Sequence, residues 1–126
     1  MEFIQTQNAP SAIGPYSQSV VVNGMVYTSG QIALTPEGSD ELLKEDVVVQ
    51  AVRVMKNLEA VLEASGSSLN KVIKTTIFLA DMNDFAVVNE VYAEAFGNHK
   101  PVRSTVAVKT LPKNALVEID AVALVE

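Results

Sequence analysis

Arg103 stands in a run of β-branched and small residues, Val102-Arg103-Ser104-Thr105-Val106-Ala107-Val108, directly after Pro101. Such a run reads as a strand, so the guanidinium projects from a sheet, on the face of Thr105 and Ala107, rather than from a loop. Held that way it is preshaped to take a carboxylate in a bidentate grip. Glu118 lies in the next apolar stretch, 115–125. If 102–108 and 116–125 form a hairpin around 111–114, Arg103 comes within a residue or two of the position opposite Glu118, on the same face. Two readings stay open. One is a plain cross-strand ion pair, worth under ~1 kcal/mol if exposed; the other is an anion grip beside a carboxylate.

Other residues carry weaker signals. Thr28-Ser29-Gly30-Gln31-Ile32 puts a glycine inside a strand, which marks either a bulge or the close approach of a ligand or another backbone. The turn Gly14-Pro15-Tyr16-Ser17 presents Tyr16 beside the first strand, for packing or for a ligand. Asn89 is polar and one position off an apolar helical stripe, which alone means little. His99, between Asn98 and Lys100, is expected to be solvated. Lys100, Arg103, Lys109 and Lys113 gather four of the nine basic residues near the end of the chain.

Composition removes whole classes of chemistry. With no cysteine there is no disulfide, zinc-thiolate site, iron–sulfur cluster or cysteine nucleophile. One histidine leaves no multi-histidine metal site. No P-loop or dinucleotide fingerprint is present. Nine Lys and Arg against fifteen Asp and Glu give a net charge of −6, which repels nucleic-acid phosphates over most of the surface. No apolar run is long enough to span a membrane, and the first residues lack the basic and apolar regions of an export signal. The expectation is a cytoplasmic protein. Its 126 residues, 48% of them hydrophobic, are expected to form a single domain, 1–126, with a real core.

The elements that must hold these residues are legible from spacing. Asn23-Gly24 between two apolar runs is a hairpin signal, with strands at about 17–22 and 25–33. Apolar residues from Val47 to Leu62 fall on one helical face, with Gly66 as the stop. Residues 71–80 read as a strand. Phe85, Val88, Tyr92 and Phe96 make a second helical stripe, with Asn83 or Asp84 as N-cap and Gly97 after it. Strands at 102–108 and 115–125 close the chain, and a short one near 2–6 is possible. The order β-β-α-β-α-β-β belongs to an α+β two-layer sandwich, one sheet with both helices on one face. In the last strand Val117, Ile119, Ala121, Ala123 and Val125 suit that covered face. The opposite row, Leu116, Glu118, Asp120, Val122 and Leu124, is also mostly apolar, and another subunit is the simplest cover.

The sequence resembles the reactive-intermediate deaminase family, the RidA/YjgF proteins. The likeness rests on PVRSTVAVKTL at 101–111 and VEI at 117–119. NAP at 8–10, IGPYS at 13–17, TSGQI at 28–32, KTTIF at 74–78 and DFAVVN at 84–89 support it. The resemblance implies a chorismate-mutase-like mixed sheet assembled as a homotrimer with sites between subunits. It also implies hydrolysis of 2-imino or enamine acids, such as 2-iminobutanoate and 2-iminopropanoate, to 2-oxo acids and ammonia, with no cofactor and no metal. In that family the residue matching Arg103 grips the substrate carboxylate and the one matching Glu118 positions or activates water. Those matching Tyr16, Ser29, Gly30, Asn89 and Thr105 line the cleft. Thr105 is a departure, since many members carry cysteine there. Two rival functions remain: a non-catalytic regulatory trimer binding 2-oxo acids, and a ribonuclease or translation inhibitor, against which the net charge argues.

Overall fold

Apolar runs punctuated by turn residues become six strands and two helices. In chain order they are β1 (Glu2–Ile4), β2 (Ser19–Val22), β3 (Met25–Thr28), α1 (Val47–Ala64), β4 (Val72–Leu79), α2 (Phe85–Phe96), β5 (Val102–Ala107) and β6 (Val117–Leu124). The structure, a computed structural model, describes residues 1–125. Asn23 and Gly24 both take positive φ, 52° and 74°, the backbone a two-residue hairpin turn requires. All six strands join one mixed sheet in the order β1-β2-β3-β6-β4-β5, and both helices cover the same face. The expected α+β sandwich is present, the short first strand included.

The helices begin as local chemistry dictates, with one difference. At α1 the Asp46 carboxylate accepts a hydrogen bond from the Val49 N–H at 3.0 Å, and Gly66 follows the C-terminus at φ 83°. At α2 neither Asn83 nor Asp84 caps with its side chain. Asp81 instead accepts from the Asn83 N–H at 2.9 Å and starts a short 3-10 turn, Met82–Asp84, that leads into the helix.

The expected hairpin between the last two strands does not form. β6 lies in the middle of the sheet, antiparallel to β3 on one side and β4 on the other. β5 pairs only with β4, in parallel, and forms the sheet's edge. The reason is burial. Val117, Ile119, Ala121 and Ala123 are at most 2% exposed beneath the helices, so β6 needs neighbours on both sides. β5 is reached from β4 through α2, the usual helical crossover between parallel strands. Leu116, expected on the open face, precedes β6 and packs against the core.

Three buried amides pin the loops around this frame. Gln50 on α1 donates to Leu43 O and Glu45 O at 3.2 and 3.0 Å and accepts from the Leu116 N–H at 2.9 Å. Asn57 donates to Ile32 O and Leu34 O at 3.2 and 2.8 Å. Gln18 accepts from the Thr6 N–H at 2.7 Å and donates to Pro10 O at 2.8 Å. Among the described residues no helix is long and apolar enough to cross a membrane.

Replacing Gln50 by Leu keeps the volume and strands three backbone groups. The expected loss is about 2 kcal/mol or more, read from urea unfolding; a loss under about 0.5 kcal/mol would mean that water satisfies those groups.

Candidate functional site

The structure divides the seven candidate residues into two groups on opposite faces of the sheet. Thr75 on β4 is the register partner of both Arg103 on β5 and Ala121 on β6, so all three face the helices. Phe78 is the partner of Val106 and Glu118, which therefore face the other way. Arg103 and Glu118 are thus separated by β4 and by the sheet itself. Within one chain they form no pair, contrary to the expected cross-strand arrangement, because β6 took the central position and β5 the edge.

Arg103 is held by one face of α2. Its Nη1 donates to Asn89 Oδ1 at 2.7 Å, and its guanidinium carbon lies 4.9 Å from the Tyr92 ring centroid and 5.6 Å from that of Phe85. Residues 85, 89 and 92 share a helical face by their spacing, and the two rings add cation–π attraction. The Tyr92 hydroxyl is bound to Thr75 Oγ1 at 2.7 Å, and burial raises the proton affinity of the phenol. A cavity of about 450 Å³ opens here, lined by Asn89, Tyr92, His99, Lys100 and Arg103 among others. With one nitrogen on Asn89, the fork keeps further donors for an anion. His99 is not simply solvated: its Nε2 lies 2.6 Å from Val72 O, which tethers the loop after α2 to β4. Thr105 shares this face, and its buried Oγ1 has no hydrogen-bond partner.

Tyr16, Ser29, Gly30 and Glu118 meet on the other side, around a cavity of about 480 Å³ that Asp120 and Lys113 also line. β3 ends at Thr28, short of the expected residue 33, and the chain returns to β6 only at Gln31, opposite Ile119. Tyr27 pairs with Val122, so residues 28–30 oppose only residues 120 and 121: a one-residue bulge. Thr28 Oγ1 accepts the Ala121 N–H at 3.0 Å, and Ser29 Oγ donates to Ser17 O at 2.6 Å. Both readings of Gly30 hold, since the bulge also admits a close approach. A Cβ on residue 30 would stand 2.7 Å from the carboxyl carbon of Glu118 and 2.9 Å from its Cγ. Tyr16, 53% exposed, overhangs the cavity from the loop.

Glu118 sits with its carboxyl pushed toward the protonated form, first by burial and then by the charge of Asp120. Arg103, whose charge would favour the ionised carboxylate, is on the far face of the sheet. Asp120 was not singled out in the sequence, although its place two residues from Glu118 was readable there. Phe85 and Tyr92 were read as a core stripe, and their contact with Arg103 depends on where α2 lands. Among the described residues no three His, Asp or Glu side chains converge as a metal-binding group.

A chain with this fold and these two polar clusters has close relatives. Residues 6–125 match the family described as Endoribonuclease L-PSP. A RutC family protein of Pyrococcus horikoshii is 50% identical over 99% of this chain and 98% of its own. The mouse 2-iminobutanoate/2-iminopropanoate deaminase is 47% identical over 96% of this chain and 89% of its own. A crystal structure from Thermotoga maritima superposes with a TM-score of 0.95 at 49% identity, covering 100% of this chain and 98% of that one. The chain belongs to this family, the RidA/YjgF proteins.

Gly30→Ala is expected to fold, because the atoms in its way belong to a side chain that can rotate. The cost should be about 1–2 kcal/mol in urea unfolding, with Glu118 turned out of its place in a crystal structure. A Glu118 that stays put would mean that the backbone of the bulge gives way instead.

Proposed function

We propose that this chain hydrolyses reactive 2-imino acids, 2-iminobutanoate and 2-iminopropanoate among them, to 2-oxo acids and ammonia, in sites between the copies of a homotrimer. The observation that carries this reading is the separation of Arg103 from Glu118. An anion grip lies at the free β5 edge, and a cavity with a carboxyl and a free glycine backbone lies on the uncovered face. The two meet only when one copy brings its edge against the face of another. The named deaminase activity of the mouse relative supplies the reaction. The uncovered face supplies the motive for assembly, since Phe3, Tyr27, Val102, Val106 and Leu124 are 41–67% exposed on it. The setting of the reaction is the cytoplasm, where pyridoxal-phosphate enzymes acting on serine or threonine release such intermediates.

The chemistry follows from the residues. Arg103 of one copy holds the carboxylate of the substrate and so fixes the C=N carbon. In the facing copy Ser29, Gly30 and Tyr16 bound the space beside Glu118, and Asn89 and Thr105 belong to the arginine side. Water adds to the iminium carbon as its proton passes to the Glu118 carboxylate and the C=N electron pair moves to nitrogen. The protonated Glu118 then gives that proton to the nitrogen. The hydroxyl proton returns to Glu118 as the C=O forms and the C–N bond breaks to release ammonia, which then takes that proton and leaves Glu118 ionised again. Iminium acid and water become 2-oxo acid and ammonium, with atoms and charge balanced.

Assembly is tested by light scattering: a mass near 13.5 kDa at micromolar concentration, that of one chain, overturns the proposal, as does a stable dimer. Activity is tested by ammonia release from 2-iminobutanoate freshly made by a threonine dehydratase. Arg103→Ala is expected to lose both turnover and 2-oxobutanoate binding, and Arg103→Lys to recover little. Glu118→Gln should keep binding while turnover falls on the order of 10²-fold or more. A trimer that binds 2-oxobutanoate but never accelerates ammonia release is the regulatory protein instead.

A further inference from the structure

The cavity around Arg103 carries more positive charge than one carboxylate requires. Its wall includes His99, Lys100 and Arg103 and no Asp or Glu, in a chain whose net charge is −6. Asn89 and the rings of Tyr92 and Phe85 already hold Arg103, and its remaining donors suffice for one carboxylate. His99 is committed elsewhere: its Nε2 lies 2.6 Å from Val72 O, and its backbone N–H donates to Phe96 O at 3.2 Å. Lys100 is the cation left over. Among the described residues it makes no ion pair and no side-chain hydrogen bond.

Lys100 is exposed, yet its backbone is fastened on both sides. The two bonds of His99 tie the loop to β4 and to the end of α2. Pro101 restricts the residue before it to extended conformations, and Val102 then begins β5 as the register partner of Lys74 on β4. The ammonium therefore swings from a fixed root, three residues from the arginine. The cavity also has room. Its volume of about 450 Å³ is more than twice what the seven heavy atoms of 2-iminobutanoate fill, at about 30 Å³ per water-sized atom.

We propose that Lys100 is a specificity-determining residue: it holds a second acidic group of the substrate while Arg103 holds the first, so that the chain acts on 2-imino acids whose side chains end in a carboxylate. As a statement about turnover this rests on the hydrolytic reading above. As a statement about binding it needs only the cavity of a single copy. In the assembly the facing copy brings its Glu118 and Asp120 to the same substrate, and their negative charge repels an acid carried on the substrate side chain. Such a side chain turns away from them, into the cavity of the arginine that grips it, where Lys100 meets the terminal carboxylate. Ala93 and Pro101 in the same wall offer apolar surface to the methylene groups. Without the charge of Lys100, the facing carboxylates leave a second acidic group only a penalty.

The experiment compares two ligands that differ only in the terminal group, 2-oxoglutarate and 2-oxopentanoate, titrated into the intact assembled protein by calorimetry. Wild type is expected to bind 2-oxoglutarate about tenfold more tightly, or better. Lys100→Met keeps the length of the side chain and removes its charge, so the preference should vanish while 2-oxopentanoate binds as before. Lys100→Arg should keep the preference, and Lys56→Met, on α1, should leave it untouched. Each variant is first shown by light scattering to keep the wild-type mass. Equal binding of the two ligands by wild type overturns the proposal, as does a preference that survives in Lys100→Met or is lost as fully in Lys56→Met. Turnover is read as ammonia release, above the spontaneous rate, from imines made in place from glutamate and from norvaline by amino acid oxidases. In Lys100→Met kcat/KM for the glutamate imine should fall about tenfold, with that for the norvaline imine unchanged. If the binding preference depends on Lys100 but neither imine is hydrolysed faster than in buffer, the second anion site stands and the hydrolytic reading fails. If both imines are hydrolysed and binding shows no preference, the hydrolytic reading stands and this proposal fails.

Discussion

Everything in this molecule depends on the burial of one row of side chains, Val117, Ile119, Ala121 and Ala123, beneath α1 and α2. Removing apolar surface from water is worth about 25 cal/mol per Å², so such a row outweighs an exposed Arg–Glu pair of under ~1 kcal/mol. β6 therefore goes where it can be covered and flanked on both sides, between β3 and β4. The consequence for chemistry is indirect and large. The strand that carries Arg103 is left at the edge, and alternation along β6 turns Glu118 and Asp120 to the face the helices cannot reach.

Polar groups are then placed by what the core leaves over. Gln18, Gln50 and Asn57 are almost wholly buried, and each bonds backbone groups of loops, those of Gln18 and Asn57 beside the larger cavity. A buried amide is tolerable only when it is satisfied, so these three hold the loops with little freedom. Arg103 is treated in the same way. Asn89, Phe85 and Tyr92 fix the guanidinium before any ligand arrives, which lowers the entropy cost of a later grip. The carboxyl side is the opposite case. Glu118 and Asp120 lie half-buried without a guanidinium partner of their own chain, a costly arrangement that a purely structural face would not need.

The elements were legible in the sequence because each depends on residues near one another. Asn23-Gly24 announced the first hairpin, the apolar stripe from Val47 to Leu62 announced α1, and Gly66 marked its end. The boundaries that failed did so for local reasons of another kind. β3 stops at Thr28, where a one-residue bulge brings Gly30 against the Glu118 carboxyl, and α2 is entered through a 3-10 turn capped by Asp81. Neither the approach nor the turn leaves a periodic trace.

What the sequence determined by itself was the set of strands and helices, the apolar face of each, and the residue types able to grip an anion or move a proton. What only the tertiary structure decided was which strand lies beside which, and hence on which face each functional residue ends. Periodicity of 2.0 or 3.6 residues is written within a single element. The neighbour of a strand is chosen by the burial of the whole sheet, a property that no single segment contains. The hairpin expected of β5 and β6 was consistent with both strands taken alone. It failed because β6 needed two neighbours, and β5, reached through α2, could serve β4 alone.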